Sequence, residues 1–202
     1  MRAAFTLIEL VIVIIMIAIL AALLYPAING AQNQAKKAQA KNDVTQIVTA
    51  VNAFYTEYGK YPTNATTDAT ATYGPGGSTT ENGGLFNELR AKSSTLNTRQ
   101  IVFISPPDAK DQNSPRSGIK TSTGGYYDPW ATEYAVAMDA DYDNQIANPY
   151  PDGSAGGDPT AIPAYSLRIG VIAWSYGSDQ TIGTKSPASS SYKNSDDVIS
   201  WQ

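Results

Sequence analysis

The chemistry open to this chain is carried mainly by carboxylates. Its 202 residues include 18 Asp and Glu against 14 Lys and Arg, and neither Cys nor His. Disulfides, thiol nucleophiles, thiolate zinc sites, imidazole bases and Ser-His-Asp triads are therefore excluded. Asp139, Asp141 and Asp143 form a D-x-D-x-D run of the kind that opens a calcium loop. Asn144, however, takes the place of the EF-hand glycine, and Tyr150 stands where the bidentate Glu belongs. A polar hairpin turn is the better reading. Residues 190–193 match S-x-x-K formally, but in a Ser-rich loop that match carries almost no information. No pair of acids is singled out for glycoside chemistry. The 13 Tyr could furnish a binding surface, although in a loop-rich domain they serve mostly packing and turns. A net charge of -4 and a pI near 4.7 argue against nucleic acid as a partner.

One further carboxylate, Glu9, sits where a charge is costly. Residues 5–25 read FTLIELVIVIIMIAILAALLY, with Thr6 and Glu9 as the polar members. As a helix this run would rise about 31 Å, close to the ~30 Å hydrocarbon thickness of a bilayer. It predicts a transmembrane helix rather than a cleaved secretory signal, whose apolar region is shorter and ends in an A-x-A-like site. A carboxylate within a span costs roughly 2.5 to 3.5 kcal/mol and calls for a partner, yet no Lys, Arg or His lies in the run. Near one end, Glu9 could also snorkel to the interface. Arg2 before the span and Lys36, Lys37 and Lys41 after it leave orientation open on charge alone. Those lysines read as a solvated helix face, with contact to lipid headgroups or a neighbouring acidic head as the alternative.

Ala4 followed by Phe5-Thr6-Leu7-Ile8-Glu9-Leu10 and a full-length apolar helix resembles the class III signal of type IV pilins and type II secretion pseudopilins. The resemblance implies a leader of residues 1–4, cut between Ala4 and Phe5 by a prepilin peptidase, and N-methylation of the new Phe5 amine. It also implies that Glu9 of one subunit neutralises the Phe5 amine of its neighbour in a filament. Ala4 stands where the family more often has Gly, and the leader carries a single basic residue. The head would lie outside the bacterial inner membrane, in the periplasm, on a single-pass helix.

Beyond the span, apolar residues recur at Val44, Ile47, Val48, Val51, Phe54, Tyr55 and Tyr58, the spacing of a helix with one buried face. Gly59 and Pro62 mark its end. Pro26 lacks an amide donor and should kink the helix near residues 22–30. Domain boundaries follow: a leader at 1–4, a long helix at 5–58 with 5–25 in the membrane or filament core, and a head at 59–202. Within the head a short helix is expected over 85–96, with Leu85, Phe86 and Leu89 inward. Strands are expected over 101–104, 134–138, 167–174 and 197–201. Residues 63–84, 105–125 and 144–163, rich in Gly, Pro, Ser, Thr, Asn and Asp, read as surface loops. The class is α+β, a long helix on a small antiparallel sheet.

Asp128-Pro129-Trp130 followed by Glu133-Tyr134 is similar to the DPWGxPY segment of the major pseudopilin of type II secretion, with Ala131 in place of Gly. Residues 174–179 (WSYGSD) and 196–201 (DDVISW) resemble its SxGxDG and DDIxxW elements. In that family these two elements hold calcium. The resemblance therefore implies Asp179, Asp196 and Asp197 as side-chain ligands, with the carbonyl of Tyr176 as a further one. The sixteen residues between Asp179 and Asp196 exceed the family's loop. The implied function is that of a non-catalytic subunit polymerising into a pseudopilus for protein export. Its partners would be further copies, minor pseudopilins, the prepilin peptidase, the inner-membrane assembly platform and, before assembly, lipid. A type IV pilus subunit at the cell surface is the alternative, and a membrane-tethered enzyme or binding module stands behind both.

Overall fold

A computed structural model describes residues 6–77, 79, 81–185 and 187–202, with backbone alone at Leu23, Tyr25, Pro26, Ala27, Lys185 and Ala188. Helix α1 (Leu7–Tyr58) leads into short strands and one further α-helix. The chain divides into two units, one ending at Ala38 and one spanning Gln39–Gln202, so the boundary falls inside α1.

In the first unit, the apolar side chains from Leu7 to Leu20 are exposed on every face of the helix. A helix apolar all round is one whose every face calls for burial, in a protein core or in lipid. Among the described residues no helix is long and apolar enough to cross a membrane. The unbroken stretch of described side chains in the apolar run ends at Ala22, about 24 Å of helix from Leu7. Leu23 and Tyr25 continue the run outside the described side chains. The helical backbone carries through residue 26 as one element. The Pro26 side chain, on which the expected kink rests, lies outside the described ones.

Within the second unit α1 changes character. Ala40, Val44, Ile47, Val51 and Phe54 are fully buried, three or four residues apart as the sequence pattern requires. Burial of each large side chain contributes about 1.5–3 kcal/mol. Val48 and Tyr58 sit half-buried at the rim. Tyr55 departs from the expected face: it is partly exposed and stacks on Tyr61 at 4.7 Å. Gly59, at φ +68°, closes the helix by donating its N–H to the Tyr55 carbonyl at 2.8 Å. That left-handed turn suits glycine. Lys41 is only partly solvated, because its Nζ donates to the Ile199 carbonyl at 2.8 Å and to the Gln202 carbonyl.

The main sheet is antiparallel throughout, in the order β1 (Thr72–Tyr73), β4 (Ala135–Met138), β5 (Val171–Ser175), β8 (Val198–Ile199). Two smaller hairpins pair β2 (Gly118–Ile119) with β3 (Tyr126–Tyr127), and β6 (Thr184–Lys185) with β7 (Ala188–Ser189). Side chains of β4 and β5 alternate between two cores. Val136, Met138, Val171 and Ala173 face α1, whereas Ala135, Ala137, Ile172 and Trp174 face a second cluster with Ile146, Tyr150, Ala155, Leu167 and Tyr176. The segment 144–163 is therefore not surface decoration: Ile146, Tyr150 and Ala155 are buried and roof the far side of the sheet. Residues 63–84 and 105–125 likewise contribute Ala71, Asn82 and Ile119 to the interior and β1 as a half-buried edge strand.

Three further expectations are corrected. Helix α2 (Gly83–Leu89) starts earlier and stops sooner than expected, with Leu85, Phe86 and Leu89 buried as the pattern required. It stops because the Glu88 carboxylate takes the amides of Leu96 and Asn97 at 3.1 and 2.8 Å, folding the chain back. Residues 101–104 form no strand, since the Leu89 carbonyl accepts the N–H groups of both Phe103 and Ile104. The strands anticipated over 167–174 and 197–201 are shorter, and β5 reaches to Ser175.

Asn82, fully buried, holds the junction of α2, β3 and β4. Its Nδ2 donates to the carbonyls of Tyr126 and Tyr134 at 3.1 and 2.8 Å, and its Oδ1 accepts the Tyr126 N–H at 2.9 Å. Asn82→Ala would strand these buried groups and should cost about 2 kcal/mol or more in denaturant unfolding. Exposed Asn113→Ala should stay within about 0.5 kcal/mol.

Candidate functional site

The acids anticipated near the C-terminal end do come together. After β5, residues Gly177–Asp179 make one 3₁₀ turn. Gly177 sits at φ +65°, and a Cβ there would lie 2.5 Å from the Asp196 carbonyl oxygen, so glycine alone permits this approach. Asp196 Oδ2 accepts the N–H groups of Ser178 and Asp179 at 2.5 and 3.2 Å, together with the Ser178 hydroxyl. Asp197 Oδ2 accepts the Tyr150 hydroxyl at 2.8 Å and the Gly183 N–H at 2.7 Å. One carboxylate oxygen from each of Asp179, Asp196 and Asp197 lies within 4.8 Å of the others.

Electrostatically this cluster is under-neutralised. Asp197 is buried, and desolvation pushes its carboxyl up to about 6, with the charges of Asp196 and Asp179 adding to the rise. The Gly183 N–H and Tyr150 hydroxyl oppose that rise without cancelling it. Asp197 Oδ1 is buried and has no hydrogen-bond partner among the described residues. Lys193 lines the adjoining open cleft of about 660 Å³, yet it makes no ion pair among the described residues. Hard oxygens, shared negative charge and an orphaned buried oxygen fit a hard divalent cation of the calcium type. Tyr176, whose backbone carbonyl is the further ligand anticipated, immediately precedes the turn, and its side-chain hydroxyl donates to the Pro75 carbonyl.

The turn is braced from behind by the Asp-Pro-Trp segment. Asp128, fully buried, accepts the N–H groups of Trp130 and Thr132 on Oδ1 and the Ser175 hydroxyl on Oδ2 at 2.6 Å. Ser175 Oγ accepts the Gly177 N–H at 3.1 Å, and Gln180 Nε2 donates to the Trp130 carbonyl at 2.7 Å. Two sequence elements that read as separate therefore hold each other. Only their types, Asp next to Pro and Ser two residues before Gly, hinted at it. Tyr150, which grips Asp197, carried no such signal, because it lay in a segment read as a loop.

Asp139, Asp141 and Asp143 form a turn in which each carboxylate accepts nearby backbone N–H groups, as the turn reading expects. Asp68 joins them across the fold, its Oδ1 accepting the Ala140 N–H at 2.8 Å. That approach was invisible in sequence. Ser190 and Lys193 make no hydrogen bond to each other among the described residues, and the Lys193 N–H donates to Ser191 Oγ instead.

At the other end of the chain, Thr6 and Glu9 form a capping box. Glu9 Oε2 accepts the Thr6 N–H and hydroxyl at 2.8 and 2.7 Å, while Thr6 Oγ1 lies 3.4 Å from the Glu9 N–H. Orphan donors at the start of α1 are satisfied in this way, and the carboxylate gains a partner that neither reading of the sequence supplied. Ala4 and Phe5, the anticipated cleavage and methylation positions, lie outside the described residues. No family model, curated protein or solved structure matches the chain.

Burial, with the charges of Asp141 and Asp139, pushes the Asp68 carboxyl up to about 6. An unfolded Asp titrates near ~4, so the folded chain holds this proton more tightly. The contribution of Asp68 to stability thus declines as pH rises from about 4 to about 6. Asp68→Asn should stabilise the metal-free protein at pH 7, and the advantage should vanish by about pH 4. Thermal melts in EDTA across that range check it.

Proposed function

We propose that this chain is a non-catalytic filament subunit of the type IV pilin-like kind, nearest to the major pseudopilin of type II secretion. The observation that carries the reading is the change of character along α1. Its first part exposes apolar side chains on all faces, and its later part buries one stripe in the head. Surface of that extent needs either lipid or parallel copies of the same helix. The Phe5-Thr6-Leu7-Ile8-Glu9 signal before it supports both in succession: insertion in the inner membrane with the head in the periplasm, then assembly.

In the free subunit Glu9 is held by Thr6. In the filament it exchanges this local cap for the methylated Phe5 amine of the next subunit, so the charge sets register between neighbours. Prepilin peptidase cleavage between Ala4 and Phe5 is what creates that amine. The head carries a structural calcium ion held by Asp179, Asp196 and Asp197. The ion supplies the positive charge that the cluster lacks and clasps a cysteine-free loop.

Intact mass tests the processing: loss of residues 1–4 with one added methyl is expected, and an intact Met1 would sink the reading. Glu9→Ala should leave membrane insertion unchanged but reduce filament incorporation severely in pulldowns with tagged wild-type subunits. Normal incorporation would count against the register role. Calcium at about 100 times its Kd should raise Tm by about 5 °C or more. Asp196→Ala should abolish that shift.

A further inference from the structure

The segment 144–163 was expected to be a surface loop, yet it delivers a fully buried tyrosine to the carboxylate cluster. Tyr150 donates its hydroxyl to Asp197 Oδ2 at 2.8 Å. With the Gly183 N–H at 2.7 Å, that oxygen accepts two hydrogen bonds, while Oδ1 has none among the described residues. A carboxylate so held cannot turn about its Cβ–Cγ bond without breaking both. Its free oxygen is thereby assigned.

The ring is itself immobilised. It packs edge-on against Tyr192 at 5.3 Å and tilted against Trp201 at 6.2 Å. Two hydrogen bonds stitch its segment to the same part of the chain: the Tyr192 N–H donates to Ser154 Oγ at 2.6 Å, and Trp201 Nε1 donates to the Ala155 carbonyl at 2.9 Å. Residues 146–155 therefore meet the acid-bearing segment at Asp197, Tyr192 and Trp201 while contributing no carboxylate to the cluster.

We infer that Tyr150 is a positioning residue for the cation site, fixing Asp197 through Oδ2 so that Oδ1 is presented to the metal and the segment around residue 150 becomes part of that site. This rests on the calcium reading above. Partners that orient a metal ligand from behind typically govern affinity by ten- to a hundredfold. Occupation of the site then tightens residues 146–155 as well as the residues that supply the carboxylates.

The full-length protein in detergent is titrated with calcium by calorimetry and with terbium by luminescence. Tyr150→Phe should weaken calcium binding about tenfold or more and shorten the terbium lifetime in water relative to deuterium oxide, as water replaces a loosened carboxylate. Tyr192→Phe, which alters a neighbouring ring whose hydroxyl makes no bond to Asp197, should change neither. A Tyr150→Phe protein that melts lower but binds calcium with wild-type affinity and lifetime overturns the inference and leaves the calcium reading standing. A wild-type chain that binds no calcium overturns both. Hydrogen exchange on the wild type needs no variant: calcium should slow exchange over 146–155 as well as 177–183 and 196–199. Slowing confined to the latter two would count against Tyr150.

Discussion

Both faces of β4 and β5 have to be kept dry, and the rest of the head follows from that. Every residue of these two strands is buried, an arrangement usual for sheets covered on both sides. The later part of α1 covers one face with Ile47, Val51 and Phe54. Among the described residues no second helix covers the other. Ile146, Tyr150, Ala155 and Leu167 do so from a segment rich in Pro, Gly and Asp, joined by Trp201. A cover without regular structure satisfies its backbone piecemeal, partly through turn and bridge hydrogen bonds such as those between Ile146 and Leu167 and partly through side-chain acceptors such as Asn148, Asp152 and Asp158, which take its amides.

That second cover also creates the electrostatic condition of the acid cluster. Tyr150 and the turn at Gly183 bury Asp197, and the 3₁₀ turn brings Asp179 against Asp196. Without Cys or His, charge of this kind is neutralised by protons, by Lys or Arg, or by a metal. The raised carboxyl of Asp197 expresses the first route, and among the described residues no ion pair expresses the second. The Asp68–Asp139 group differs. Its carboxylates also lie within reach of one another and accept backbone N–H groups, but among the described residues none of its carboxylate oxygens is both buried and without a hydrogen-bond partner, as Asp197 Oδ1 is.

Much of this was legible in one dimension. The buried stripe of α1 was readable because helical spacing is local, and the glycine stop at Gly59 because a left-handed residue favours Gly. Leu85, Phe86 and Leu89 were readable as an inward face for the same reason. The errors arose where a distant group overrode local preference. Glu88 ended α2 by capturing the amides of Leu96 and Asn97, and the Leu89 carbonyl drew residues 103 and 104 out of a strand. Lys41 looked solvated because nothing near it in sequence could foretell the Ile199 carbonyl.

By itself, the sequence determined the α+β class, the apolar run with its embedded Glu9, the absence of thiol and imidazole chemistry, and the acids available to a cation. Each is a property of composition or of spacing within a few residues. The tertiary structure alone decided that Asp179, Asp196 and Asp197 share one space, that Asp128 braces the turn through Ser175, and that Tyr150 leaves one oxygen of Asp197 unpaired. These depend on groups far apart along the chain, and their meeting was fixed by burying both faces of one small sheet, a constraint that no local pattern encodes.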